Sequence, residues 1–457
     1  MKLDLMSDSC VRFVRPISIL WACLTFSLIL LNGHAEAVTL EECIREALRR
    51  NPDANAAAIR VEAARTMISE ADSAYFPQLS VAGGYAVTDN PTQAFMMQLI
   101  QRNLDIRSPD FDPNEPGNTD NLRLSAELKY RVYDFGQRRM MSGSAALDAD
   151  AVNLQLAAIR NELIYQITRG YFNILQARDY VTVQQETIDS LEESLQIARE
   201  KYKAGTAKKT DVLNLEVSLV QAREDLIRAR NSVDLAIVAL NTAIGYDFVT
   251  RESLPVPEEN VSTPPVMEQD FKAIENRPEL QAVERMSRIK ERLYLKAKYQ
   301  NFPVHDAHGS YDLDSGNLES FEGSYTVGSR AEWDIFTGFR NSSAARKAET
   351  EWRAAQQDAE QVRNTIKQDL QSARIQAAES WQRLETIRKS VESASESLHI
   401  TQVRYREGVA GITDLLTAQV GLIAMRTRSV AAVYDHAAAV SNLQRARGEL
   451  YTHYSSQ

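Results

Sequence analysis

Two segments of this 457-residue chain hold a seven-residue pattern over twelve successive seam positions each. The first runs Leu163, Ile167, Gly170, Ile174, Ala177, Val181, Gln184, Ile188, Leu191, Leu195, Ala198, Tyr202. The second runs Ile366, Leu370, Ala373, Ala377, Ser380, Leu384, Ile387, Val391, Ala394, Leu398, Thr401, Tyr405, matching it one for one at an offset of 203. Steps of four and three sustained this far specify coiled-coil packing and not a globular core. Helices over 137–203 and 341–406 would each be roughly 100 Å long at ~1.5 Å per residue.

The pattern resumes after a break, as Leu215, Leu219, Ala222, Leu226, Ala229, Val233, Ala236, Leu240 and, more weakly, as Ala418, Leu422, Met425, Ser429, Ala432, His436, Ala439, Leu443. Gly205 and Gly408 suit the left-handed residue that ends a helix. Thr210-Asp211 and Thr413-Asp414 are the expected N-caps of return helices over 211–245 and 414–454. Each long helix is therefore one arm of a helical hairpin. None of the 13 prolines falls in 117–254 or 304–457, so nothing breaks these helices.

Self-similarity extends beyond the hairpins. Pro52 and Phe76-Pro77 recur 226 residues later as Pro278 and Phe302-Pro303. Tyr133-Asp134-Phe135-Gly136 resembles Trp333-Asp334-Ile335-Phe336-Thr337-Gly338, and Lys201-Tyr202 with Gly205 resembles Arg404-Tyr405 with Gly408. The chain reads as a tandem duplication, 38–245 and 269–454, joined by a linker at 246–268. Each copy has a leading helical stretch (40–74 and 269–301), two extended segments and a hairpin.

In the extended segments the period changes to two. Over 122–132, Leu122, Leu124, Ala126, Leu128, Tyr130 and Val132 alternate with Arg123, Ser125, Glu127, Lys129 and Arg131. Over 325–335, Tyr325, Val327, Ser329, Ala331, Trp333 and Ile335 alternate with Thr326, Gly328, Arg330, Glu332 and Asp334. Segments 78–88 and 304–314 are weaker partners. About ten alternating residues suit a strand tilted across a bilayer, apolar outside and polar inside. Arg123, Glu127, Lys129, Arg131, Arg330 and Glu332 are thus candidate barrel-interior residues. Four strands cannot close a barrel alone, so several chains would have to share one. The segment 91–120, with Pro91, Pro109, Pro113 and Pro116 and the cluster Phe95-Met96-Met97, is expected to be a long external loop; 315–322 is a short turn.

Arg12 and Arg15 precede the uncharged run Ile17 to Leu31 and then Ala35-Glu36-Ala37, the pattern of a secretory signal cleaved after Ala37. Cys10 and Cys23 fall within it, which leaves Cys43 without a disulfide partner. A net charge of −10 on an exported chain argues against a nucleic-acid partner. His305 and His308 would lie on opposite faces of a strand, and His436 falls on a seam. No nucleophile, phosphate-loop or metal motif is present, so neither an enzyme nor a cofactor is expected. The basic tip Lys201, Lys203, Lys208, Lys209 reads first as a solvated turn and second as a contact for an acidic partner.

The duplicated order, the Asp-Phe-Gly and Asp-Ile-Phe-Thr-Gly strand exits and the Tyr-x-x-Gly-(x)4-Thr-Asp turns together resemble the TolC-like outer-membrane efflux proteins, over 38–450. The resemblance implies a mainly α fold with a small membrane β-barrel contribution. Four strands per chain would give a homotrimeric α/β-barrel tunnel in outer-membrane lipid, with its helical part in the periplasm. It implies a periplasmic adaptor (membrane fusion) protein and an inner-membrane transporter as partners. It also implies that Tyr405, Thr210 and Asp211 tie neighbouring hairpins shut at the periplasmic entrance. Ala410 stands where a basic partner is usual. Asp414 matches an acidic ring at that entrance, and Thr417 stands where a second would be. The expected function is a passive exit duct for small molecules. Two alternatives are an exit duct for protein (type I) secretion and a periplasmic structural coiled coil.

Overall fold

The computed structural model describes residues 38–108, 112–251, 253 and 272–451. The expected signal segment 1–37 and most of the linker 246–268 lie outside the described residues. The elements follow in the order α1 (Leu40–Arg50), α2 (Pro52–Ser73), β1 (Gln78–Thr88), α3 (Pro91–Ile100), β2 (Thr119–Tyr133), α4 (Gln137–Lys203) and α5 (Lys209–Ile244). Then come α6 (Lys272–Glu275), α7 (Pro278–Tyr299), β3 (Val304–Ser315), β4 (Glu322–Glu332), α8 (Arg340–Glu407) and α9 (Ile412–Arg447). No described helix is long and apolar enough to cross a membrane.

Local chemistry sets the boundaries. The Asn51 side chain accepts from the N–H groups of Asp53 and Ala54 at 2.9 and 3.0 Å, and Pro52 fills the first helical position of α2. Pro77 and Pro303 immediately precede β1 and β3 and hold the chain out of helix. At the exit from β2, the Asp134 carboxylate accepts from the N–H groups of Gly136 (3.1 Å) and Arg138 (2.9 Å), which starts α4.

The segment 91–120, expected to be a long external loop, opens with a helix, α3. Asn90 caps it by accepting from the N–H groups of Thr92 and Gln93 at 3.1 and 3.3 Å, with Pro91 at its first position. The Asn-Pro start signal that opens α2 opens α3 as well. Further boundaries also differ from expectation. The return helices begin two residues earlier, at Lys209 and Ile412. The second ends at Arg447, before Gly448 in left-handed conformation, and not at 454. Strand β4 is Glu322–Glu332, so Trp333 and Ile335 lie beyond it.

By contacts the chain divides into two compact units, each drawn from both halves of the sequence. Among the described residues, one comprises 38–46, 167–251, 253 and 390–434; the other comprises 47–108, 112–166, 272–389 and 435–451. The core of the first is the coiled-coil seam: Ile188, Leu191, Leu195 and Ala198 of α4 meet Leu215, Leu219, Ala222 and Leu226 of α5, together with Leu398, Tyr405, Leu415 and Leu422. The two Tyr positions that match in sequence part company here. Tyr405 is buried, whereas Tyr202 is 46% exposed.

The second unit holds the sheet, of order β1-β2-β3-β4 and antiparallel throughout. Elsewhere in that unit, Ala373 and Ala377 of α8 pack on Leu443 and Ala446 of α9. The small residues allow close approach of the two helices.

Candidate functional site

The strand register sorts the sheet into two faces. Arg123 is opposite Asp314, Ser125 opposite Asp312, Glu127 opposite Ser310, Lys129 opposite His308 and Arg131 opposite Asp306. Asp306 is in turn opposite Arg330, and Ser310 opposite Thr326. Directly opposed residues share a face, so the polar positions of all four strands form one continuous surface. The other face carries Val81, Tyr325 and Val327, which are 76%, 79% and 79% exposed. Apolar side chains exposed in such a row mark a surface made for a non-aqueous environment. At the helix end of the sheet stand exposed aromatic residues, Phe76, Tyr133, Trp333, Phe336 and Phe339. Aromatic residues gather in this way at membrane–water boundaries.

Charges on the polar face are paired across strands. Arg123 Nε donates to Asp314 Oδ1 at 2.8 Å, and Arg131 Nε to Asp306 Oδ1 at 2.9 Å. Lys129 Nζ meets Glu127 Oε2 at 2.9 Å within its own strand. A cavity of about 550 Å³ lies against this face, lined by Glu127, Lys129, Arg131, Arg330 and Glu332 among others. Five of the six interior candidates therefore come together, and Arg123 lies further along the strand. Asp306, Asp312 and Asp314 were missed as partners. The alternation of polar residues at 306, 308, 310, 312 and 314 was the signal that could have found them. The same register puts His305 and His308 on opposite faces, apart as ligands.

The second place is the closed end of the hairpins. Gly205 and Gly408 have φ of 76° and 83°, and each ends its helix with the same bonds. Gly205 N–H donates to Tyr202 O and Thr206 N–H to Lys201 O; Gly408 N–H donates to Tyr405 O and Val409 N–H to Arg404 O. The two aspartates act in the next helices, although not as the N-cap residues. Asp211 Oδ2 accepts from Lys208 N–H at 3.2 Å, and Asp414 Oδ2 from Gly411 N–H at 3.1 Å. Each stands at the third helical position and reaches back to the cap.

Tyr405 and Asp211 are neighbours. Burial first, and then the Asp211 carboxylate, hold the Tyr405 phenol above its ordinary pKa. Its hydroxyl is buried without a hydrogen-bond partner among the described residues. Lys201 Nζ donates to the Tyr405 carbonyl at 2.5 Å and lies 5.1 Å from its ring centre. Thr210 and Asp414 are exposed. Lys201, expected in a solvated tip, ties the two hairpins together instead, and only the three-dimensional pairing shows this.

The profile of the family described as "Outer membrane efflux protein" matches residues 43–246 and 272–449. The chain belongs to the outer membrane efflux protein family. Among curated relatives, the outer membrane protein TolC of Vibrio cholerae serotype O1 is 22% identical over 451 residues, covering 92% of this chain and 93% of that one. The alkaline protease secretion protein AprF of Pseudomonas aeruginosa is also 22% identical, covering 93% and 87%. Among solved structures, the outer-membrane channel OprN superposes with a TM-score of 0.79 at 18% identity, covering 90% of each chain.

An outer membrane efflux protein is a transport duct of the outer membrane, not an enzyme. The long helical hairpins joined to one four-stranded sheet are the fold of such channels. The structural coiled-coil alternative is thereby set aside.

Proposed function

We propose that three copies of this chain close a twelve-stranded barrel in the outer membrane, continued by a helical tunnel, as the passive exit duct of an inner-membrane transporter joined through a periplasmic adaptor. One observation carries the reading. The four-stranded sheet has a polar and an apolar face, and its edge strands β1 and β4 have no partner in the described chain. Open edges in a bilayer must be paired, and identical copies can pair them edge to edge. A row of exposed apolar residues on α5, Leu213, Val217, Val220 and Ile227, supports burial against a second copy at heptad spacing.

In this reading Arg123, Glu127, Lys129, Arg131, Arg330 and Glu332 line the barrel. Tyr405, Thr210 and Asp211 hold the periplasmic entrance, and Asp414 contributes a ring of carboxylates there. The duplicated halves 38–245 and 269–454, a linker at 246–268 and an export signal at 1–37 complete the assignment. Substrates are small molecules. The protein-secretion alternative draws support from the likeness to AprF, whose name assigns it to alkaline protease secretion.

The experiment is single-channel recording in planar bilayers, with the parent protein and Asp414→Ala. A conducting parent whose cation preference falls in the variant supports the duct and the Asp414 ring. An absence of discrete conductance would sink the barrel, and unchanged selectivity would remove Asp414 from the entrance. Co-purification from solubilised membranes then separates the two cargo readings by the transporter that is retained.

A further inference from the structure

Helix α3, at the far end of the sheet from the long helices, makes contact with three strands. At its start, Thr88 Oγ1 at the end of β1 donates to Gln93 Oε1 at 3.2 Å. Just past its end, Gln101 Nε2 donates to Asn121 Oδ1 of β2 at 3.0 Å and to the Asp120 carbonyl at 2.7 Å. The next residue, Arg102, pairs through Nη1 with Glu322 Oε2 of β4 at 3.3 Å and donates from Nη2 to the Gly323 carbonyl at 3.2 Å.

The three strand side chains in these contacts have one property in common. Thr88, Asn121 and Glu322 all occupy polar-face positions, as the register with Thr119, Ala86 and Asp314 requires. The segment therefore crosses the sheet from β1 to β4 on its polar side. Ala94 of α3 is fully buried, and Asn121, which accepts from Gln101, donates to Asp314 at 2.6 Å, both residues being almost fully buried. The Gln101 side chain also passes close to Gly316, where a Cβ would sit 2.6 Å from its Oε1. Arg102, with φ of 55°, is the left-handed residue that ends α3: its N–H donates to the Leu99 carbonyl at 3.1 Å and the Asn103 N–H to the Gln98 carbonyl at 2.9 Å.

We infer that α3 with Gln101 and Arg102 is a strap across the external mouth of the duct, which sets the size of solute that can pass. This rests on the barrel reading above, because the polar face is the lumen only if the sheet closes with other copies. The Arg102–Glu322 pair is largely exposed, so it is a weak latch that can yield to a passing solute. The residues beneath it, Asn121, Arg123 and Asp314, are tied to one another and stay in place when it does.

The test uses Ser125→Cys, whose thiol would lie on the polar face deeper than Arg123. Cys43 is buried, and labelling of the parent protein measures its background. Whole cells carrying the variant are treated from outside with a small maleimide, or with a maleimide carried on a bulky polyethylene glycol chain. The small reagent should label fast and the bulky one slowly. Adding Arg102→Glu should speed the bulky reagent about fivefold or more, while the small reagent keeps its rate and so reports an intact channel. Adding Glu322→Arg to that should bring the slow rate back. Equal bulky-reagent rates with and without Arg102→Glu would overturn the strap, as would a reversal that fails to restore slow labelling. No labelling by the small reagent in Ser125→Cys alone would overturn the barrel reading itself.

Discussion

Lys201 Nζ, from the first hairpin, donates to the backbone carbonyl of Tyr405 in the second at 2.5 Å and stands over its ring. One side chain thus joins two segments whose sequences match at an offset of 203. The equivalence is then broken, because the matching residues Arg404 and Tyr202 make no such pair among the described contacts. Replacing Lys201 by Met should remove one hydrogen bond and one cation–ring contact, about 1 kcal/mol together. Hairpin ends held less firmly should give a higher resting conductance in planar bilayers. A variant with parent conductance would show that this tie does not restrain the entrance.

Alkaline pH should loosen the helical hairpins through two tyrosines. Burial and Asp211 hold the Tyr405 phenol above its ordinary 10.0. Burial, and a 2.7 Å bond from its hydroxyl to Asp179 Oδ2, raise Tyr434 further. A phenol with a raised folded pKa binds its proton more tightly in the folded state. Its contribution is complete below the ordinary value and is lost as pH rises beyond it. Thermal unfolding in detergent, followed by circular dichroism, should therefore fall steeply above about pH 10. Tyr405→Phe with Tyr434→Phe should flatten that fall; an unaltered profile would assign it to other groups.

Arg277 should be intolerant of change. It is 4% exposed and donates to the Ala446 carbonyl near the end of α9 at 2.7 Å, to Glu279 at 2.9 and 3.0 Å, and to Asp369 at 3.4 Å. Arg277→Met would leave the Glu279 carboxylate and a helix-end carbonyl without this donor, while Asp369 keeps Arg445 at 2.9 Å, at a cost of about 3 kcal/mol. Arg277→Lys should recover little, because an ammonium cannot grip Glu279 with two parallel bonds. Denaturant melts of the three proteins would decide it, and a Lys variant as stable as the parent would refute the two-bond argument.

Cys43 should resist alkylation while the protein is folded. Burial, and secondarily the Glu42 charge, push its thiol up to about 12, so almost no thiolate exists at neutral pH. Iodoacetamide at pH 8 should label it only after denaturation. Fast labelling of the native protein would mean that the α1 contacts open readily.

The coiled-coil seams and the strand alternation were both legible in the sequence, because they are periodic. A period of 3.5 or 2 fixes which face of an element is buried, whatever it packs against. For the same reason the polar face of the sheet could be named residue by residue, down to Glu127 and Arg330. Other features depend on which elements meet, and no local pattern encodes that. Tyr202 and Tyr405 have the same place in the same repeat, yet packing buries one and exposes the other. Asp306 became the partner of Arg131 only through the β2–β3 register. Helix α3 was hidden by the prolines around it, although Asn90-Pro91 announces its start. That it lies across the polar face, and not beside it, rests on contacts between residues up to 221 positions apart. Periodicity along the chain decided what each element is, and long-range pairing decided what it touches.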